Sequence, residues 1–306
     1  MNDLVVLGSV NADHVLQVPS FPRPGETLHG HNYQVIPGGK GANQAVAAAR
    51  LNADIGFIAC VGDDAFGLNI RESFQQDGME ISGVKVEAGC PTGIAMIQVS
   101  DSGENSICIS AEANARLTAE SLQSELERIR AAKYLLMQLE TPLDGVVKAA
   151  QVAKDAETKV ILNPAPARPL PDELLSCVDI ITPNETEAES LTGIAVTDNQ
   201  SAQQAANLLH DKGIESVMIT LGAKGVWLSQ DRQGTLIPGF KVTATDTTAA
   251  GDTFNGAFVT GLLEAMTLES AIKFAHAAAA ISVTRFGAQT SIPNRDEVEQ
   301  FLAQQQ

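Results

Sequence analysis

Residues 134–164, YLLMQLETPLDGVVKAAQVAKDAETKVILNP, establish the fold class. Two apolar runs, Leu135–Leu139 and Val160–Leu162, flank a segment with helical spacing of apolar residues, Leu143–Ala156. A run that is apolar at consecutive positions predicts a strand covered on both faces, as in a parallel sheet. The helical segment is then the crossover between two parallel strands. This β-α-β unit predicts an α/β protein.

The same alternation recurs along the chain. It predicts a largely parallel central sheet with helices on both faces. The further predicted strands are Leu4–Leu7, Ile55–Val61, Asp179–Thr182 and Val217–Leu221, and the further predicted helices are Asn43–Leu51, Ala119–Ala131, Ser201–Lys212, Phe254–Glu264 and Leu268–Val283.

Two segments interrupt the alternation. Residues 11–37 are rich in Pro, Gly and polar residues, and residues 91–111 predict a hairpin that turns at Asp101–Asn105. We expect both to form a small β-sheet that acts as a lid, although an ordinary edge hairpin has the same pattern. No repeat or linker divides the chain, so residues 1–306 are predicted to be one domain with these two insertions.

Composition restricts the classes of partner. The chain of 306 residues has 20 basic and 37 acidic residues, a formal charge of −17 and a pI near 4.6. A surface this acidic repels phosphate backbones and anionic lipid, which disfavours nucleic-acid and membrane partners. The four cysteines are scattered and the chain starts without a basic signal segment. Both features predict a cytoplasmic protein without disulfides or structural zinc.

Polar residues follow four of the predicted strands. They are Glu140, Asn163, the pair Asn184 and Glu187, and the turn Thr220–Gly225. Because the carboxyl ends of parallel strands meet at one edge of a sheet, a cleft there is expected. Each residue alone is more typical of a helix cap or a turn than of a site, and the four strand ends together favour the cleft.

The segment DTTAAGDTFNGAF, residues 246–258, predicts an anion site. Apolar residues at helical spacing from Phe254 onwards place a helix start near residue 250. The amides of Ala249, Ala250 and Gly251 then lie at the positive end of the helix, where small side chains leave them open to a phosphoryl group. Asp252, in the first turn, is either a reactive carboxylate or simply favourable to the helix dipole. The chain contains neither GxxxxGK[ST] nor a well-placed GxGxxG motif.

Two polar clusters in the N-terminal part suit a ligand with hydroxyl groups. GGKGAN, residues 38–43, ends in Asn43, whose amide both donates and accepts hydrogen bonds, although its glycines also fit a hinge. Asn11 and Asp13 follow the first strand, where an amide and a carboxylate can hold a vicinal diol. A simple Asx turn accounts for that pair equally well.

Together these motifs resemble the PfkB family of carbohydrate kinases. The resemblance covers essentially the whole chain and includes SVNADH (9–14), LNPAPAR (162–168), TPNETEAE (182–189) and TLGAKG (220–225). It implies that family's fold and ATP-dependent phosphorylation of a sugar, most closely of D-ribose at O5 to give D-ribose 5-phosphate and ADP. A family member acting on fructose, deoxyribose or a nucleoside and a catalytically silent sugar sensor are the alternatives.

The resemblance also implies roles for individual residues. Asp252 corresponds to the general base, and Ala249, Ala250 and Gly251 to the anion hole. The positions that match sugar contacts are Asn11, Asp13, Gly39, Lys40, Asn43 and Glu140, together with Asp252. Those that match positions around ATP are Asn184, Glu187, Thr220, Leu221, Gly222, Ala223, Lys224, Gly225, Gly251 and His276.

Metal ions and a partner are implied in the same way. Mg²⁺ is expected to accompany ATP, with Glu187 associated through water. A monovalent cation, typically K⁺, is expected as an activator behind the anion hole, and the family dimerises through its lid strands. The positions that match the cation site are Asp246, Thr248, Ser282, Arg285, Gly287 and Ser291.

Overall fold

The computed structural model describes residues 2–305 and contains two β-sheets. The strands are β1 (Leu4–Leu7), β2 (Asn11–Val18), β3 (His31–Gly38), β4 (Ile55–Gly62), β5 (Val84–Glu87), β6 (Gly93–Ser100), β7 (Asn105–Ser110), β8 (Tyr134–Met137), β9 (Lys159–Leu162), β10 (Ile180–Ile181), β11 (Ser216–Thr220), β12 (Val226–Gln230) and β13 (Gln233–Ile237).

The helices alternate with the strands of the larger sheet. They are α1 (Lys40–Arg50), α2 (Ala65–Gln76), α3 (Leu126–Ala131), α4 (Leu143–Asp155), α5 (Asp172–Leu175), α6 (Glu185–Thr192), α7 (Asn199–His210), α8 (Ala250–Leu263), α9 (Leu268–Ser282) and α10 (Arg295–Gln304). Among the residues that the structure describes, no helix is long and apolar enough to cross a membrane.

The larger sheet has nine strands in the order β13-β12-β11-β10-β9-β8-β1-β4-β5. All neighbours are parallel except β11–β12 and β12–β13. The smaller sheet has the order β3-β2-β6-β7 and comes from residues 11–38 and 93–110, the two segments that interrupt the alternation. The predicted fold class, a largely parallel α/β sheet with a small separate sheet, is confirmed.

The core lies on both faces of the larger sheet. In β1, Leu4 and Val6 pack into an apolar cluster with α1, α8 and α9, whereas Val5 and Leu7 pack into a second cluster with α4 and α7. Burying each such side chain contributes about 1.5–3 kcal/mol. This two-sided burial is the physical reason why the central strands are apolar at consecutive positions.

Two helix boundaries differ from the sequence prediction. The segment predicted as one helix over 119–131 is a 3₁₀ turn at Ser121–Glu125 followed by α3. Ser121 bonds back to Thr118 through both its amide and its hydroxyl, and such local bonds compete with the helical ladder. Helix α1 starts at Lys40 rather than Asn43 because a distant carboxylate, that of Glu140, accepts from the Lys40 amide.

Candidate active site

A cavity of about 430 Å³ lies at the carboxyl ends of β9, β10 and β11, facing the start of α8. The strand-end residues Asn163, Asn184, Glu187 and Thr220 all reach it, so the cleft expected from the sequence exists at this edge. Its full wall consists of Lys40, Asn163, Ala165, Thr182, Asn184, Glu185, Thr186, Glu187, Thr220, Gly222, Thr247, Ala249, Ala250, Gly251, Asp252 and Asn255.

The N-terminus of α8 opens into this cavity without a side-chain cap. Ala249 precedes the helix in the left-handed conformation, with φ 57° and ψ 15°, which a residue with a Cβ adopts only at a cost of order 1–3 kcal/mol. A Cβ added at Gly251 would meet no protein atom within 4 Å. Uncapped first-turn amides and open space beside them form a site suited to an anion.

Asp252 lies in the first turn of α8 and is only 7% exposed. Its Oδ2 accepts a hydrogen bond from Asn43 Nδ2 at 3.0 Å, and its Oδ1 accepts one from Gln44 Nε2 at 2.9 Å. Both donors belong to the first turns of α1, so the two predicted glycine-rich motifs meet at this carboxylate. A carboxylate buried beside an anion site and fixed by two amides has the geometry of a general base.

A second carboxylate, Asp13 in β2, is buried with its Oδ1 lacking a hydrogen-bond partner. The Oδ1 of Asn43 is also buried and unpartnered, so Asp13 and Asn43 each present one acceptor atom without a protein donor. Burial, with the nearby charges of Glu140 and Asp252, raises the pKa of Asp13 to about 7. Unpartnered buried acceptors are rare in native proteins and fit a ligand that donates hydroxyl protons.

Asn11, the first residue of β2, is also buried, and its Oδ1 accepts from Asn114 Nδ2 at 2.8 Å. Asn114 also bonds the backbone of Val10 through both its oxygen and its nitrogen. This asparagine therefore fixes the amide orientation of Asn11, whose Nδ2 is left as the donor group.

Lys40 brings a positive charge to the cavity wall. Burial alone would lower the pKa of Lys40, but Asp252, Glu140 and Glu187 together raise it above its usual value. The ammonium group therefore stays protonated. Lys40 was predicted from the resemblance as a sugar contact, and the structure also places it against the wall formed by α6 and α8.

Glu140 joins the sugar-side residues to the start of α1. Its Oε2 accepts from Ser9 Oγ at 2.6 Å and from the Lys40 amide at 3.0 Å. Glu140 therefore acts as an external cap for the helix that presents Asn43, in agreement with the capping alternative. Both bonds go to Oε2 of Glu140, so the other carboxylate oxygen, Oε1, is left for a ligand.

The glycines of residues 38–41 serve the protein's own packing. Gly39 has φ 92°, which favours glycine, whereas a Cβ at Gly38 would overlap the Asp13 carboxylate. A Cβ at Gly41 would overlap Gly8 and the Ser9 amide. Gly38 and Gly41 leave room for Asp13 and for the end of β1, and the expectation that these glycines also admit a ligand to the backbone stays a prediction.

The residues predicted around ATP separate into three groups. Asn184 and Glu187 form a reciprocal capping box at α6, with bonds of 2.8 and 2.9 Å, and also line the cavity. Burial raises the pKa of Glu187. Among residues 220–225, Thr220 and Gly222 line the main cavity, and Leu221 and Lys224 line a smaller one of about 50 Å³ beside it.

Ala223, Gly225 and His276 lie outside the walls of both cavities. A Cβ at Gly225 would overlap the backbone at Ile237, so this glycine permits the turn between β11 and β12. His276 is buried in α9 with its ring 5.4 Å from that of Phe254, and burial lowers its pKa to about 4. The imidazole is therefore neutral and packs behind the cavity.

Two of the residues predicted for a monovalent cation, Thr248 and Gly287, contact Asp246. Thr248 donates to Asp246 Oδ1 through its amide and its hydroxyl, and the Gly287 amide donates to Oδ2 at 2.9 Å. Burial alone would raise the pKa of Asp246, but these bonds hold it below its usual value. Ser282 is the last residue of α9, and its carbonyl accepts from the Arg285 amide, whereas the Ser291 amide donates to the Ala288 carbonyl. The cation site itself stays a prediction.

Within residues 2–305, no three His, Cys, Asp or Glu side chains cluster as metal ligands. Mg²⁺ bound through nucleotide phosphates requires only one or two protein carboxylates. Glu187 is the cavity-lining carboxylate that best fits that requirement, because one of its oxygens is occupied by the Asn184 amide while the side chain still faces the cavity.

Comparison with known proteins agrees with this geometry. A model described as "pfkB family carbohydrate kinase" matches residues 1–295. A ribokinase of Haemophilus influenzae is 58% identical over 299 residues, which cover 98% of each chain, and one of Staphylococcus aureus is 44% identical over 301 residues, covering 98% and 99%. The structure of Arabidopsis thaliana ribokinase complexed with ribose and ATP superposes with a TM-score of 0.92 at 35% identity, covering 98% of both chains. The chain belongs to the PfkB family of carbohydrate kinases.

Sequence reasoning missed four residues that hold the site together. Gln44 bonds Asp252 and Asn163, Gln138 bonds Gln44, Asn255 bonds the Gly251 carbonyl, and Ser9 bonds Glu140. Gln138 precedes the strand-end Glu140 by two positions, Gln44 directly follows GGKGAN, and Asn255 lies within DTTAAGDTFNGAF. The sequence signal that could have identified these residues is a polar side chain within an otherwise apolar helix or at the end of an apolar strand.

Proposed function

We propose that this protein is a ribokinase that transfers the γ-phosphoryl group of ATP to O5 of D-ribose, giving D-ribose 5-phosphate and ADP. The observation that carries the proposal is Asp252: a buried carboxylate, fixed by Asn43 and Gln44, in the first turn of an uncapped helix that opens into a 430 Å³ cavity. The ribokinase relatives described above support ribose as the sugar.

The sugar is held on the side of the small sheet. The unpartnered Oδ1 atoms of Asp13 and Asn43 accept protons from ribose hydroxyls, and Asn11 Nδ2 donates to a ribose oxygen. This places the primary hydroxyl beside Asp252, between the sugar residues and the cavity. The proposed ribose contacts are Asn11, Asp13, Gly39, Lys40, Asn43, Glu140 and Asp252.

The nucleotide occupies the cavity, with its γ-phosphoryl group at the start of α8. Asp252 takes the proton of the O5 hydroxyl as O5 attacks phosphorus, the new O5–P bond forms, and the bond to the β-phosphate oxygen breaks to release ADP. The amides of Ala249, Ala250 and Gly251 stabilise charge on the equatorial oxygens. Because phosphoryl transfer passes through a loose transition state, positioning matters more than basicity.

Two metal ions complete the proposed site. Glu187 would hold Mg²⁺ bound with ATP, which would supply charge neutralisation at the phosphates. The loop around Asp246 would hold a monovalent cation, K⁺ in the first instance, which would stabilise the conformation of residues 246–251 that carries the anion hole. The small sheet acts as a lid that excludes water when it closes over ribose.

A coupled assay of ADP release tests the function and the cation together. With Mg²⁺ and ATP present, we expect ADP formation that requires ribose and increases when K⁺ replaces a bulky organic cation. Fructose, deoxyribose and nucleosides are the control substrates. Faster turnover of one of them would contradict ribose as the substrate, and sugar binding without ADP formation would indicate a silent sensor.

We further propose a homodimer joined through the lid strands. Tyr33 and Val35 in β3 and Met96 in β6 are 59%, 42% and 55% exposed. Val35 and Met96 both pair with His14 of β2, so these side chains lie on one face of the small sheet, and an exposed apolar face of this kind is typical of an interaction surface. Pairing of two small sheets would bury them. Sedimentation at micromolar concentration should give a mass near twice 32.2 kDa, and Met96→Lys should shift it towards one chain. A monomer in the unmodified protein would contradict this assembly.

A further inference from the structure

We propose that Gln44 is a positioning residue that fixes Asp252 relative to the ends of two sheet strands. This inference rests on the proposed function because it takes Asp252 as the base. Gln44 is completely buried in α1, and its Nε2 donates to both Asp252 Oδ1 and Asn163 Oδ1, at 2.9 and 3.0 Å. Its Oε1 accepts from Gln138 Nε2 at 2.6 Å.

The direction of every bond in this chain is set by charge. An ionised carboxylate only accepts hydrogen bonds, so Gln44 must turn its NH₂ group towards Asp252. Its oxygen then faces Gln138, which must present its own NH₂ group. Reversal of either glutamine would place two oxygens against each other. Gln44 therefore has one favourable amide orientation and both ends of its amide are bonded within the protein, whereas the Oδ1 of Asn43, the other donor to Asp252, has no protein partner.

The chain also connects the base to the anion site. Asn163 Nδ2 donates to the Thr182 carbonyl, Thr182 Oγ1 donates to Asn255 Oδ1, and Asn255 Nδ2 donates to the Gly251 carbonyl at 2.8 Å. Gln138 and Asn163 directly follow β8 and β9, so the rigid sheet fixes the positions of both side chains that bond Gln44. Gln44 is the branch point at which this network meets the carboxylate.

Such a network fixes the rotamer of a reacting side chain through groups that do not touch the substrate. The expected loss on breaking it therefore falls on kcat and not on substrate binding. A change of rotamer would move the carboxylate away from the sugar hydroxyl without altering the residues that hold ribose or ATP.

The main test is Gln44→Met, which keeps the side-chain length and removes both donor bonds. We expect kcat to fall by about 10- to 100-fold, part of the 10²–10⁴-fold that a general base contributes. The KM values for ATP and ribose should change less than threefold, so the loss is specific to kcat. Gln138→Met leaves both Gln44 donors in place and should give a smaller loss of kcat, again without a change in the KM values.

Gln203→Met is the matched control. Gln203 in α7 is an equally well-bonded glutamine, which donates to Asn207 and Ser229 and accepts from Trp227. Its loss should lower thermal stability but leave kcat unchanged. An unchanged kcat in folded Gln44→Met would overturn the proposal, and so would an unchanged kcat in Gln138→Met if Gln44→Met does not fold.

Crystal structures of the variants provide a readout that does not depend on turnover. We expect Asp252 to occupy more than one rotamer in Gln44→Met and a single rotamer in Gln203→Met. If the unmodified protein phosphorylates a different sugar, the ribose assignment fails and the kinetic test proceeds with that sugar. If it phosphorylates none, the proposed function fails and the rotamer comparison still decides whether Gln44 positions Asp252.

Discussion

Asp252→Asn should lower kcat by at least about 10²–10⁴-fold, the share that a general base contributes. The asparagine keeps the size of the side chain and removes its capacity to take a proton from the sugar hydroxyl. Steady-state ADP release at saturating ATP and ribose, with a single-turnover measurement for the slow variant, gives the ratio. The KM for ribose should change less than kcat, because Asp13 still provides an acceptor for the sugar hydroxyls.

The local hydrogen bonds indicate why this substitution should not disturb folding. Asparagine at 252 presents one oxygen and one NH₂ group to the two amides that now donate to the carboxylate. Gln44 cannot reverse because Gln138 donates to its oxygen, but Asn43 can, since its Oδ1 has no partner. The new side chain therefore finds a partner on each side, and the loss of turnover reflects chemistry.

Asp296→Asn is the control for the alternative in which Asp252 merely favours the helix dipole. Asp296 lies in the first turn of α10, outside the cavity wall. Its removal should cost only about 0.3–1 kcal/mol of stability and leave kcat unchanged. If Asp252→Asn behaves like this control, with near-normal turnover, Asp252 has only a helix-terminal role.

The fold could be predicted from the sequence because its strands are buried on both faces. Short apolar runs such as 135–139 and 160–162 are typical of strands in a parallel sheet, and their parallel pairing follows from the helix between them. The start of α1 could not be predicted in this way. Its cap, Glu140, lies 100 residues away along the chain, and spacing within a window contains no information about such a contact.

The candidate site could be predicted only in part, because its contacts join residues that lie far apart in the sequence. The two glycine-rich motifs each suggested a ligand, but only the structure shows that Asn43 contacts Asp252, a residue 209 positions away. Gln44 and Gln138 were missed because a glutamine in an apolar segment does not reveal its partner. The glycines of residues 38–41 predicted ligand approach, but not that their neighbours Asp13 and Gly8 also need the space.

Asp13 has an unusual protonation state that makes its role measurable. Burial, with Glu140 and Asp252 nearby, raises its pKa to about 7, whereas an unfolded chain ionises it near 3.8. Folding therefore takes up a proton between these values, and stability from this group is present at low pH and lost as pH rises towards 7. Above pH 7 the buried carboxylate is ionised at a cost to the fold.

Asp13→Ala should raise the KM for ribose by about 10- to 100-fold for each charge-assisted hydrogen bond lost, because such bonds contribute roughly 1.5–3 kcal/mol. The KM for ATP should stay unchanged, since Asp13 does not line the nucleotide cavity.

At pH 8 the variant should unfold at the same or a higher temperature than the unmodified protein, because it no longer buries an ionised carboxylate. In the unmodified protein, the KM for ribose should rise as pH falls below about 7, where Asp13 becomes protonated, and the variant should lack this dependence. Asp13→Ala is expected to stay folded, so its KM for ribose can be measured directly. An unchanged KM would contradict the assignment of Asp13 to the sugar site.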